Sequence, residues 1–352
     1  AARWTWSQKT RNCAARTLSC ERPMSYSKLL QHFLRQNSAP NVRQMIAFID
    51  AYRDRFSVEF ICKTLNQVRV GGFITSRGYR DAKSRDLSAR AKRDLALVDK
   101  IKEVHAENFC VYGVRKMWRA LLLEGISIGR EQTARLMRLA GVRGKSKGRT
   151  VCTTQAAKTP ETRPDLVERD FTGVGPNQLW VADITYVETR VGFVYTAFVT
   201  DVFSRAIVGW AVSETMKTEQ LPLVALNQAI RAAQGGLQDL IHHADHGSQY
   251  VSTVYGTTLA EAGIASSTGS VGDSYDNALA KSVNSSYKNE LITNAAPWAD
   301  AFDVEAATFQ WVHWWNNKRL HQGLGYQTPA QVQTEYWQTK TRTETIQNKA
   351  NA

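Results

Sequence analysis

Two aspartates stand out by the company they keep. Asp183 lies inside WVADITYV, with apolar neighbours on both sides. A carboxylate in such a buried strand is costly unless a cation or hydrogen-bond donors compensate it. Asp245 ends the strand-like run LIHHAD and precedes His246 and Gly247. That sets its carboxylate at the carboxyl edge of a strand, where α/β proteins keep their sites; an ordinary turn aspartate is the competing reading. Two aspartates from separate strands offer oxygen-rich ligation, which suits two-metal phosphoryl transfer, with ions about 3.5–4 Å apart stabilising the attacking and leaving oxygens. Such a site calls for a third carboxylate from elsewhere.

Asp201, in VTDVFSR, competes for the same role. A hairpin with a four-residue connection around Arg190 sets it opposite Gln178, however, about 17 Å along the strand from Asp183 at about 3.3 Å per residue. His242, His243 and His246 beside Asp245 raise the idea of zinc, yet neither a cysteine nor a helical HxxxH completes a four-ligand set.

The elements that must position these residues form a β-rich series: QLWVADITYV (178–187), GFVYTAFVTD (192–201) and AIVGWAV (206–212). Helical spacing from Thr218 to Ala233 leads to LIHHAD (240–245), a helix near Val251 to Ala262, the short run IASST, and a helix from about Asn277 to Glu290. Three antiparallel strands followed by alternating helices and strands predict an α/β, ribonuclease-H-like fold with a mixed five-stranded sheet.

Upstream the texture is helical. Residues 41–70 and 86–107 carry helical spacing, with Gly71-Gly72 breaking the first. Between Tyr112 and Gly144 the chain divides into a helix to about Glu124, a turn at Gly125 and a second helix from about Arg130 to Ala140, which is helix-turn-helix spacing. The second helix is expected to bury Leu136 and Leu139 and to expose Arg130, Gln132, Arg135 and Arg138. The basic run from Arg143 through Lys145 and Lys147 to Arg149 follows it, a phosphate-binding tail behind a groove-reading helix. Near the end, Trp311, Trp314, Trp315 and Lys318 share a helix face that reads as packing, and Lys318, Arg319 and His321 are further DNA-contact candidates.

Charge supports this division. The net charge is +13, but residues 71–150 carry 19 Lys+Arg against 8 Asp+Glu, whereas residues 171–290 carry 6 against 11. A basic module beside an acidic one suits a polyanion binder next to a cation-binding centre; an accidental asymmetry of solvated surface is the bland alternative. Five scattered cysteines without CxxC spacing suggest neither a disulfide framework nor a zinc site. The same cysteine pattern suggests a reducing, cytosolic compartment, and neither a membrane-spanning run nor a secretory signal is visible. Residues 1–40 begin at Ala1 with weak periodicity and read as a non-native or disordered leader.

The strings WVADITYV, VYTAFVTDVFSRAIVGWAV, HHADHGSQYVS, GDSYDNALA and WWNNKRLHQGLGYQTPAQV resemble the second-reading-frame (OrfB) proteins of the insertion-sequence-three family of bacterial transposases, over roughly residues 41–337. The resemblance implies an integrase-like catalytic core at 176–292 with a helical extension at 293–337, and residues 338–352 beyond it read as a polar tail. Ahead of the core it places a helical region at 41–150, with its helix-turn-helix module at about 86–145, and a linker at 151–175. It also implies DNA cleavage and strand transfer at transposon ends, with Mg²⁺ or Mn²⁺ as cofactor. The implied partners are double-stranded DNA of the transposon ends and target, further copies of the chain on that DNA, and the first-reading-frame protein.

In that family the triad is Asp, Asp, Glu, with 35 residues between the last two. Asp183 and Asp245 match the first two, and the third falls at position 281, where the family's DNALAES reads DNALAKS. Lys281 therefore stands where a glutamate is expected. Helical geometry offers no substitute: Asp276 lies about 140° and Glu290 about 180° round from position 281, while Asn277 and Asn284 share its face without charge. A lysine also adds a cation, and each unit pair at about 4 Å is worth about 4 kcal/mol at an effective dielectric near 20. A catalytically dead DNA-binding derivative or inhibitor is the alternative function, and a ribonuclease-H-like nuclease without integration activity a third.

Overall fold

The structure, a computed structural model, describes residues 40–68, 71–146, 166–167, 173–233, 236–245, 247–268, 278–295 and 297–350. Residues 1–39 of the expected leader, most of the linker, and Lys147, Arg149, His246, Asp276 and Asn277 lie outside the described residues. The chain divides into two compact units, Ala1–Ala91 and Lys92–Ala352.

In the first unit the single helical stretch expected up to residue 70 is two helices, α1 (Val42–Tyr52) and α2 (Val58–Val68), followed by α3 (Ser76–Ser84). Asn41 and Gln44 close a capping box at the start of α1, which satisfies two otherwise orphaned N–H groups. Phe48, Ile49, Ile61, Cys62, Leu65, Phe73 and Tyr79 form its core.

The second unit holds most of α4 (Ala89–Glu107), then α5 (Val114–Leu123) and α6 (Arg130–Ala140). Gly141 ends α6 in the left-handed region at φ 71°, a conformation that costs glycine least. Met117, Leu121, Leu136 and Met137 are buried as amphipathic spacing requires, and Trp118 donates its indole N–H to the Ile128 carbonyl at 2.8 Å, tying α5 to the turn. Leu139, expected inside, is 65% exposed. These apolar residues run without a break into a cluster with Trp311, Trp314 and Trp315 of α10 (Ala301–Asn317), so the helix-turn-helix region and the sheet share one core.

The sheet has five strands, β1 (Leu179–Thr189), β2 (Gly192–Asp201), β3 (Ile207–Ser213), β4 (Ile241–Ala244) and β5 (Ala265–Thr268). Their order is β3-β2-β1-β4-β5, in which β2 runs antiparallel to both β3 and β1, while β1, β4 and β5 are mutually parallel. This is the mixed ribonuclease-H-like sheet expected. Period-two alternation sends Trp180, Ala182, Ala197 and Val199 to one face, against α7 (Pro222–Ala232) and α8 (Thr253–Glu261). Val187, Val194 and Phe198 face the other way, against α9 (Ala278–Tyr287) and α10. Gly209 in β3 lets α7 approach closely, since a Cβ there would run into the carbonyl oxygen of Ala225. The last helix, α11 (Pro329–Ala350), carries on through most of the segment expected as a polar tail.

One register differs from expectation. The β1–β2 turn is only Arg190-Val191, because Thr189 pairs with Gly192, and Asp201 consequently sits opposite Trp180 and not Gln178. The two-residue shift leaves every side chain on its expected face.

Candidate active site

Asp183 and Asp245 come together through parallel pairing. Leu179 to Ala182 of β1 pair in register with Ile241 to Ala244 of β4, and the next residue on each strand is the aspartate. Register partners on neighbouring parallel strands project to the same side, about 4.8 Å apart at the backbone. Val181 packs beside Ala280, and Val187 clusters with Val283 and Tyr287, so Asp183, between them in the alternation, faces α9.

Burial raises the Asp183 carboxyl from its ordinary 3.8 to about 7, and the neighbouring Asp245 carboxylate pushes in the same direction. The Ile184 backbone N–H, donated at 2.9 Å, the charge of Lys281 and a hydrogen bond from Asn284 oppose that rise. Asp245 accepts from the Gly247 N–H at 3.1 Å. Tyr250 is buried within electrostatic reach of both aspartates, and Lys288 lies within reach of Asp183 while its ammonium sits 3.9 Å over the Tyr186 ring. Neither was anticipated. The only trace of Lys288 in the sequence is its place seven residues, or about two helical turns, after position 281.

A carboxyl raised in the folded state holds a proton that the unfolded chain has already released, so stability falls as pH rises from about 4 to about 7. With divalent ions chelated, Asp183→Asn is expected to stabilise the chain at pH 8 by about 2 kcal/mol, an advantage that fades towards pH 4. Melting curves across that range test it. An asparagine variant less stable than its parent at pH 8 contradicts the assignment of a buried, strained carboxylate.

Position 281 is the fourth residue of α9, and its lysine is half-buried with its charge bearing on Asp183. Asn284, on the same face, hydrogen-bonds Asp183, and its own buried amide oxygen meets no partner among the described residues. Two carboxylates and a buried amide oxygen fit one divalent cation. A pair of cations they do not fit, because the third acidic ligand is absent and an ammonium group stands in its place. Glu290 is no replacement, being committed to Arg319 at 2.5 Å. Asp201 is spent on structure, accepting from the Asn177 N–H at 2.9 Å, the Ser204 N–H at 2.7 Å and the Ser204 hydroxyl at 2.6 Å. His242 bonds the Tyr255 hydroxyl at 3.0 Å and His243 the Ser267 hydroxyl at 3.0 Å, both within the core.

Among the residues expected at DNA, Arg130, Arg138, Arg143 and Lys318 are exposed. Gln132, Arg135, Arg319 and His321 need correction, while Lys147 and Arg149 lie outside the described residues. Arg135 is half-buried and holds both oxygens of Asp94, at 2.9 and 2.8 Å, which fastens α6 to α4, with Gln132 reaching the same carboxylate at 3.4 Å. Lys145 hydrogen-bonds the side chains of Thr293 and Asn294. Arg319 and His321 are buried, Arg319 in its pair with Glu290 and His321 against the Trp315 carbonyl, so neither reaches a DNA phosphate from where it stands.

Comparison with known proteins places the chain among similar sequences and folds. Residues 173–274 match the model of an integrase core domain, residues 262–329 a second integrase core model, and residues 92–150 an HTH-like domain. The transposase assigned to insertion sequence element IS986/IS6110 of Mycobacterium tuberculosis is 46% identical over 273 residues, covering 76% of this chain and 98% of the relative. The transposase of insertion sequence element IS629 from Shigella sonnei is 44% identical over 293 residues, covering 83% and 97%. The catalytic core domain of HTLV-2 integrase aligns at 17% identity with a TM-score of 0.35, over 46% of this chain and 99% of that one.

Proposed function

Because the chain belongs to the insertion-sequence-three family of transposases, we propose that it is the second-reading-frame subunit of such an element, shaped for DNA cleavage and strand transfer but impaired in that chemistry by Lys281. The observation that carries this reading is that Asp183 and Asp245 stand on adjacent central strands with the charge of Lys281 bearing on Asp183. Asp183 and Asp245 would hold a divalent cation, Mg²⁺ or Mn²⁺, which when bound supplies positive charge against the developing charge of a phosphodiester under attack. Asn284 orients the Asp183 carboxylate by its hydrogen bond. Lys281 competes for that carboxylate as an internal cation and removes an acidic ligand, which favours, as a second reading, a DNA-binding derivative or inhibitor that joins active copies on DNA. The partners on either reading are duplex DNA, further copies of the chain and the first-reading-frame protein. No described helix is long and apolar enough to cross a membrane, and the reading places the chain in the bacterial cytoplasm at the nucleoid.

Duplex binding tests the DNA-facing half of this reading, which rests on exposed Arg130, Arg138 and Arg143 at the end of a helix-turn-helix region. Affinity should fall steeply with salt as counterions are released. Arg138→Glu should weaken binding by about tenfold and flatten the salt slope by about one, with the fold intact. A salt-independent affinity removes the electrostatic basis of the proposal.

A further inference from the structure

Where α5 begins, a cavity of about 380 Å³ opens between the helix-turn-helix region and the turn that follows α9, lined in part by Arg115, Lys116, Lys145 and Glu290. Its charges are unbalanced. Glu290, the one carboxylate on the wall, is already taken by Arg319, which contacts it at 2.5, 2.9 and 3.2 Å. Among the described residues Lys145 reaches neutral acceptors, the side chains of Thr293 and Asn294. Lys116 forms no ion pair among the described residues; its ammonium rests 5.4 Å from the centre of the Tyr112 ring, and Glu290 acts on it only at longer range. Arg115 is exposed at the rim.

From this excess of cations around an open cavity we infer that the junction binds a phosphate group, through Lys116, Lys145 and Arg115, at a place apart from the Asp183–Asp245 centre. Two features of the surroundings favour an anion there. A partly buried ammonium beside the Arg319 guanidinium is held in its charged form at a cost, and burial together with that guanidinium pushes Lys116 down to about 8. An anion in the cavity relieves both effects. The backbone is also stiff: Gly113 and Gly144 pass so closely that a Cβ on Gly144 would lie 2.5 Å from the Gly113 Cα, and the Lys145 N–H donates to the Val111 carbonyl at 3.2 Å. The main chain that carries Lys145 is thus held against the start of α5. The phosphate can belong to the backbone of bound DNA or to a small phosphate ester, since both offer anionic non-bridging oxygens to Lys and Arg donors.

The test uses the full chain with inorganic phosphate as probe, at matched ionic strength against chloride, reading the melting temperature and the phosphate dissociation constant by calorimetry. Phosphate should stabilise the parent specifically, and Lys116→Gln should weaken its binding at least tenfold. Arg115→Gln, at an exposed position, should weaken it measurably and guards against misfolding of the first variant. Adding a duplex then separates the sources. Displacement of phosphate by duplex marks the site as a seat for a DNA backbone phosphate, and retention of phosphate in the presence of duplex marks it as a site for a small phosphate ester. Equal stabilisation of the parent by phosphate and chloride, or equal phosphate affinity in the parent and both variants, overturns the inference. Because cleavage is not read, this result is independent of whether Lys281 impairs the catalytic centre.

Discussion

Arg319→Ala is expected to destabilise the chain by about 3–5 kcal/mol, the cost of leaving a buried charge without its partner. The guanidinium holds Glu290 through Nε to Oε2 at 2.9 Å and Nη2 to Oε1 at 2.5 Å, lies 4.3 Å over the Trp315 ring, and donates from Nη1 to His321 Nδ1 at 3.2 Å. Burial and the same guanidinium push His321 down to about 3. The imidazole is therefore neutral, accepting at Nδ1 and donating from Nε2 to the Trp315 carbonyl at 3.2 Å. Tyr112 closes the assembly, its hydroxyl accepting from the Leu320 N–H at 2.8 Å and donating to the Lys318 carbonyl at 3.3 Å. Removing Arg319 strands the Glu290 carboxylate and unpins His321 where the helix-turn-helix region meets α10. A double change, Glu290→Gln with Arg319→Met, should recover a large part of the loss, because a neutral pair carries no stranded charge. Urea unfolding at pH 7 measures both. An Arg319→Ala chain of parental stability with weakened duplex binding would return this residue to the DNA-contact role that its sequence context suggests.

That reversal shows where sequence reasoning reaches its limit. Asp183 is legible because a charged residue in an alternating apolar strand is an anomaly that physics must explain, and Asp245 because a carboxylate at a strand end is so placed by chain direction alone. The five strands are legible for a similar reason, since alternation is a local property, whereas the Lys281 anomaly is legible only through the family resemblance that places a glutamate there. Arg319 and His321 are not. They look like a basic surface cluster until Glu290, 29 residues earlier, is known to face them. Arg135 fails in the same way, because its partner Asp94 is 41 residues away on another helix. Leu139 is misread because the apolar stripe of α6 is narrower than the spacing of its leucines suggests, with Leu136 and Met137 sufficient to seal it. The hairpin register turns on whether Glu188 and Thr189 extend the strand or start the loop, and that is settled by pairing across the turn.

Lys281→Glu carries the other large effect. At about 4 Å and an effective dielectric near 20, one unit charge pair is worth about 4 kcal/mol, or about a thousandfold in rate if it acts only on the charge that develops in the transition state. Exchanging a lysine for a glutamate removes the unfavourable charge and supplies the missing ligand together. Lys281→Gln removes the charge but supplies no ligand, so its activity should stay well below that of the glutamate variant. The surroundings are suited to the restored carboxylate, since Asn284 already hydrogen-bonds Asp183 and the position bears directly on that aspartate. Asp183→Asn placed in the glutamate background should abolish what was gained.

The most direct test is strand transfer with the element's own terminal DNA and Mg²⁺, run side by side on the unaltered chain and on Lys281→Glu at equal protein and salt. The predicted result is joining of ends by the glutamate chain at least about a thousandfold faster than by the lysine chain, whose products stay near background. Equal rates from the two chains would contradict the account, and would show that position 281 is not part of the catalytic centre.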